Sequence, residues 1–187
     1  FVGYFEGKES IPYKLTITHP ANLQGVSAMV DTDDSPEKDI FISKRYADLV
    51  DMPLMYSKPD ITTFMVDDME IIISVYSPTG KYTAQQITPH MENMMKAQKR
   101  FLGPINSTKK YAILLYLSDI ASQDAKGFGA LEHPTSTTVV MPEMMGLEML
   151  QEQLKDVVSH EFFHIVTPLT VHSNEIQYFD FNNPQMS

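Results

Sequence analysis

The chain has 187 residues, of which 43% are hydrophobic and 10% aromatic, and it carries a formal net charge of −10. That hydrophobicity excludes compositional disorder, and the acidic balance argues against a nucleic-acid binder, which needs a basic surface for phosphates. There is no cysteine, so disulfides and thiolate-held metals are excluded, and no apolar run approaches the ~20 residues that span a bilayer.

In chain order, "YKLTITHP" (13–20) alternates, with Leu15 and Ile17 on one face and Thr16 and Thr18 on the other, and predicts a strand. "DIFIS" (39–43) is a second strand candidate, and "VDTDDSPEKD" (30–39) between them is a polar, acidic turn or loop. "SKRYADLVDMPLMYSKPD" (43–60), broken by Pro53 and Pro59, is a connector between two units. "ITTFMVDDMEIIISVYSPTGK" (61–81) predicts a hairpin that turns at Asp67 and Asp68 and stops at Pro78 and Gly80.

A helix follows over "TAQQITPHMENMMKAQKRFLG" (83–103). Its Ile87, Met91, Met94, Met95 and Leu102 are near helical spacing, Pro89 suits an early turn, and Gly103 is a stop. "KKYAILLYLSD" (109–119), apolar on both faces, is a buried strand, and "TSTTVVM" (135–141) is another. The strand set looks antiparallel. A long helix then runs from about 142 to 166, ended by Thr167 and Pro168. The methionines that cluster on the helices read as soft core filler.

The long helix contains "VVSHEFFHIVTPL" (157–169). On a wheel of about 100° per residue with His160 at zero, His164 falls at about 40° and Glu161 at about 100°. The two imidazoles therefore stack one turn apart, the spacing two ligands of a tetrahedral zinc need. Glu161 flanks them, within reach of a zinc-bound water. Leu147, Leu154, Val158, Phe162 and Ile165 form the stripe expected to be buried, with Glu152 and Asp156 on the solvated side. The histidines thus stand at the border of core and solvent, where a cleft would run. The competing reading is two ordinary helix histidines, because His-Glu-x-x-His also arises by chance.

A third ligand is harder to find. Thr167 and Thr170 hold the positions where an extended His-Glu-x-x-His-x-x-Gly-x-x-His motif needs Gly and His. His172 misses by two residues. Glu175 and Asp180 are the later carboxylates, neither in a stretch with a helical pattern.

"HEFFH" with "FDF" (179–181), preceded by "GALEHPTST" (129–137) and by the connector "RYADLVDMP" (45–53), resembles the glycyl-aminopeptidase family of zinc metallopeptidases. This family belongs to the gluzincin clan, and many bacterial members also carry a PDZ domain. The resemblance implies an α+β chain. A β-sandwich-like N-terminal portion (1–52) would precede the N-terminal half of a thermolysin-like catalytic domain (53–187), in which a mixed sheet packs on long helices. It implies zinc held by His160 and His164, with Glu161 as general base. It places Glu132, with His133 beside it, at the substrate: Glu132 on an edge strand, binding a free α-amine. Edge pairing and carboxylate–ammonium attraction agree with that role.

The family's third ligand is a Glu on a later helix, expected beyond Ser187. The chain begins with Phe1 and reads as a piece of a longer protein, so the lack of a signal peptide leaves the parent's compartment open. By family analogy an exported, periplasmic or membrane-anchored parent is favoured over a cytoplasmic one. "IVTPLTVHS" (165–173) departs from relatives with Trp-Asn and basic residues there, which leaves substrate preference open.

The expected activity is zinc-dependent peptide hydrolysis, with Glu161 taking the proton of a zinc-activated water and returning it to the leaving amine. The piece in hand would hold zinc weakly or not at all and be inactive by itself, since zinc sites use three or four protein donors. The expected partner is a peptide substrate, with a possible downstream PDZ domain in the parent. The alternative is a non-catalytic peptide-binding module on a metallopeptidase fold.

Overall fold

The computed structural model describes residues 3, 5–58, 60–103, 108–122, 124–125, 127–166 and 171. The N-terminal part contains β1 (Tyr13–Thr18), β2 (Gln24–Val26), β3 (Lys38–Ser43), the short helix α1 (Tyr46–Val50) and β4 (Met55–Ser57). β1 pairs antiparallel with β3, and β2 with β4, as two separate two-stranded sheets. The alternation of β1 has the expected use: Tyr13, Leu15 and Ile17 pack on a small cluster of Met29, Phe41 and Leu49. The pairing of β4 with β2 carries N-terminal structure past residue 52, to Ser57.

The second part is a five-stranded sheet of β5 (Ile61–Val66), β6 (Met69–Tyr76), β7 (Lys110–Ser118), β8 (Gly129–His133) and β9 (Ser136–Pro142), in the order β5-β6-β7-β9-β8. The predicted hairpin is β5–β6. Its two-residue turn is closed by the Val66–Met69 pair, and Asp67 takes φ 54°, a left-handed value that Asp tolerates better than most residues. The antiparallel look of the strand set does not hold throughout. β6 pairs parallel with β7, and β7 parallel with β9. A parallel pair needs a long crossover, which the helix α2 (Ala84–Leu102) supplies between β6 and β7. The sheet is therefore mixed.

Helix α2 starts on a capping box. Thr83 Oγ1 accepts from the Gln86 N–H at 3.4 Å, and Gln86 Oε1 accepts from the Thr83 N–H at 2.9 Å. It stops at Gly103, whose φ of 72° favours glycine, after Lys99 and Arg100 complement the last turn. Pro89 lies in the second turn rather than the first. The helix bond it cannot donate would go to Gln85, an exposed position where water can replace it.

The helix α3 (Leu147–Phe163) is shorter than the predicted 142–166. Pro142 extends β9 and pairs with Ser118, and the Glu143 N–H donates to the Ser118 carbonyl at 2.9 Å. The Glu143 carboxylate then receives the Ser77 hydroxyl and the Thr79 N–H, which holds residues 142–146 out of the helix until Gly146 caps it. The predicted stop at Thr167 and Pro168 lies outside the described residues.

One apolar cluster joins α2 and α3 to one face of the sheet. It includes Ile71 and Ile73 of β6, Tyr111, Ile113 and Leu115 of β7, Val139 of β9, Met91 and Met95 of α2, and Leu154, Val158 and Phe162 of α3. Odd-numbered β7 residues face the helices. Even-numbered Ala112 and Leu114 face away and meet Val26 of β2. Of the expected α3 stripe, Leu154, Val158, Phe162 and Ile165 are buried. Leu147 is half-buried, and Leu150 is buried as well.

Candidate metal centre

The last turns of α3 carry the two histidines. Leu150, Leu154, Val158 and Phe162 pin one side of the helix in the core, and Phe162 meets Tyr111 edge-on at 5.2 Å and 80°. From α2, Gln98 Nε2 donates to the Ser159 carbonyl at 2.7 Å and to its Oγ at 3.2 Å, immediately before His160. The helix is thus fixed in rotation, with His160 exposed and His164 half-buried.

Their Nε2 atoms lie 3.2 Å apart, the rings 4.9 Å apart and nearly perpendicular at 82°. Two donors about 2.0–2.1 Å from a tetrahedral zinc stand about 3.3 Å from each other, so the pair already has the spacing of two zinc ligands. Glu161, only 8% exposed, completes the group: one donor atom from each of the three side chains lies within 4.8 Å of the others. Among the described residues no other group of three His, Cys, Asp or Glu converges this way.

Glu161 Oε2 is buried and has no hydrogen-bond partner among the described residues. A buried carboxylate oxygen without a donor is costly. A cation or a water proton placed between it and the imidazoles would supply what it lacks. The donor set and its spacing fit a zinc ion.

Glu132 and His133 end on opposite faces of the sheet. Glu132 is the cross-strand partner of Thr137, whose Oγ1 lies 2.5 Å from the Tyr111 hydroxyl on the helix side. It therefore faces α3, and burial, with Glu161 and Glu132 adding their negative charge, pushes the Tyr111 phenol well above its usual range. His133 faces away, its Nδ1 2.9 Å from Asp51 Oδ1. The structure brings Glu132 to the side of Glu161 and does not bring His133 there. β8 is one of the sheet's two outer strands, paired on one side by β9.

Sequence reasoning missed Gln98, Tyr111, Thr137 and Asp51. The first three lie on flanking elements and carry no motif; Asp51 stands inside the connector 45–53. Glu175, Asp180 and the "FDF" block lie outside the described residues. No helix among the described residues is long and apolar enough to cross a membrane.

Residues 1–58 match the Peptidase M61 N-terminal domain. The structure is similar to an aminopeptidase N family protein from Idiomarina loihiensis at 20% identity and a TM-score of 0.67, over 86% of this chain and 28% of that one. It also aligns with an M1 zinc metallopeptidase from Deinococcus radiodurans at 14% identity and a TM-score of 0.46, over 82% of this chain and 33% of that one. The chain thus spans about a third or less of either structure. No curated protein matches it. The peptidase resemblance read from the sequence stands: the first 58 residues are similar to the Peptidase M61 N-terminal domain, and 86% of the chain follows the fold of an aminopeptidase N family protein.

Proposed function

We propose that this chain belongs to a zinc-dependent peptidase, an aminopeptidase in which His160 and His164 hold the metal and Glu161 is the general base. The observation that carries the reading is the convergence of the three side chains, with two imidazole nitrogens 3.2 Å apart and a buried carboxylate oxygen left without a donor. Zinc, when bound, supplies Lewis acidity that brings a ligand water's pKa to about 7. Glu161 would accept a proton at Oε2 from the attacking water and return it to the leaving amine. Glu132, on the same side of the sheet, offers a carboxylate to the substrate's α-ammonium, and the outer edge of β8 offers backbone groups to an extended peptide.

The sheet and the two long helices play the part of the N-terminal half of a thermolysin-like domain. The remaining zinc donor is sought outside the described residues, at Glu175, at Asp180 or beyond Ser187. Two histidines without a further donor would hold zinc weakly.

The deciding experiment is Glu161→Gln in the full-length protein. Turnover of short peptides with a free N-terminus should fall by about 10²–10⁴-fold while zinc content is unchanged. Unaltered hydrolysis would sink the assignment. A zinc-loaded wild type that binds such peptides without cleaving them would identify a peptide-binding module instead.

A further inference from the structure

His133 stands at the end of an edge strand, yet its ring turns away from the face that carries Glu132. Side chains alternate along β8. Ala130 and Glu132 lie opposite Val139 and Thr137, on the helix side. His133, one residue further, points to the other side. Its side chain is 11% exposed and its Nδ1 sits 2.9 Å from Asp51 Oδ1. Asp51 caps the C-terminal end of α1, its own N–H donating to the Ala47 carbonyl. Leu49 of that helix belongs to the cluster of Met29 and Phe41, to which β8 contributes no residue. Edge strand and connector are therefore joined here by a polar pair rather than by shared apolar packing.

We propose that His133 is a positioning residue: its bond to Asp51 pins the turn end of β8 to the connector and so fixes where Glu132 stands relative to Glu161. The inference rests on Glu132 as the receiver of the substrate's α-amine. β8 has a paired neighbour on one side, so its backbone is held less firmly than that of an inner strand, and a second anchor at its end matters. A carboxylate only accepts, so the proton is on Nδ1. The ring donates from Nδ1 in both its neutral and its charged form. A displacement on the order of 1 Å at Glu132 is enough to cost recognition of a bound group.

The geometry provides a sharp test. His Nδ1 and Asn Nδ2 are both bonded to Cγ, so asparagine offers its donor where the ring does, whereas glutamine moves it one bond outward. The zinc-loaded full-length protein is compared with H133N, H133Q, D51A and the H133Q/D51A double variant. Two quantities are measured. One is hydrogen–deuterium exchange of the β8 amides. The other, in a Glu161→Gln background that stops turnover, is the ratio of affinities for a short peptide with a free α-amine and for its N-acetylated twin.

H133Q and D51A should speed β8 exchange and lower the free-amine preference by about tenfold. H133N should stay within about twofold of wild type, and the double variant should be no worse than either single change. The proposal is overturned if asparagine is as damaging as glutamine, or if D51A leaves both quantities at wild-type values. A wild type without any preference for the free amine also overturns it, by removing the role of Glu132. Loss or survival of hydrolysis in Glu161→Gln itself bears on the peptidase reading alone.

Discussion

The two faces of the five-stranded sheet are built differently. On the helix side a single apolar cluster runs from β6 to α3, and Ile71, Met91, Ile113, Val158 and Phe162 have no exposed surface. On the other side the buried apolar cluster is Val26, Ala112 and Leu114. Around it the hydroxyls of Ser74 and Ser136 are buried without partners among the described residues. There Lys110 reaches the Met29 carbonyl at 3.1 Å, and burial pushes its amine below the usual lysine range. The helix side holds the sheet and aims the histidines. The other side joins the N-terminal part through a few apolar contacts and polar ties. The candidate metal centre thus stands on the rigid face, while the edge strand beside it is anchored from the softer one.

Removing volume from each face should show that difference. Phe162→Ala empties a fully buried site against Tyr111 and should cost about 3–5 kcal/mol in urea unfolding. It should also weaken zinc binding, because Phe162 pins to the core the helical turn that carries the two histidines. Leu114→Ala on the opposite face should cost about 2 kcal/mol, the low end for its type, since a small cluster bordered by side-chain hydroxyls can collapse around the change. It should leave zinc affinity alone. Equal losses from the two, or a zinc effect from Leu114→Ala, would break the contrast between the faces.

A smaller effect is expected where a polar contact crosses the rigid side. Gln98 donates twice to Ser159, yet its Oε1 is buried with no partner among the described residues. Gln98→Met keeps the shape and removes both the bonds and the orphaned acceptor. These terms oppose each other, so stability should change by less than about 1 kcal/mol. The change should appear in the site: without the clamp before His160, zinc affinity should drop severalfold, as when an outer partner of a metal ligand is lost. A titration with zinc that gives the wild-type affinity would show that the clamp serves helix packing only.

These contrasts also explain what was legible in the sequence. The Asp67–Asp68 turn, the Thr83–Gly103 limits of α2 and the pairing of His160 with His164 follow from local rules of turn residues, caps and the helical period. The start of α3 does not. "PEMMGLEML" is compatible with a helix from Pro142, and only the pairing of Pro142 with Ser118 and the contacts of Glu143 with Ser77 and Thr79 delay it to Leu147. Parallel pairing of β7 with β6 and β9 joins residues distant in sequence, so no local pattern announces it. The face to which Glu132 turns follows from its register against Thr137, and the same alternation sends His133 to Asp51, which adjacency in sequence could not reveal.

The smallest effect is expected in the N-terminal part. Asp31 is exposed, and its Oδ1 accepts from the Ile40 N–H at 2.7 Å and the Asp33 N–H at 3.0 Å, tying the acidic loop to β3. Desolvation pushes its carboxyl up, but these backbone bonds, with a side-chain bond to Asp39, outweigh it and hold the group below the model-peptide value of 3.8. A carboxyl with a lowered pKa in the folded chain stabilises fully above its unfolded value, and that contribution is lost as pH falls through the folded value. Asp31→Asn keeps an acceptor oxygen for both N–H groups but cannot titrate. Wild type should therefore lose stability more steeply than Asp31→Asn below about pH 4 in unfolding curves, while the two respond alike between pH 6 and 8. The difference should be slight, because solvent screens an exposed carboxyl. Parallel curves through the acid range would mean that the Ile40 and Asp33 bonds do not distinguish the charged group from the neutral amide, and that the loop is held by its hydrogen-bond geometry rather than by its charge.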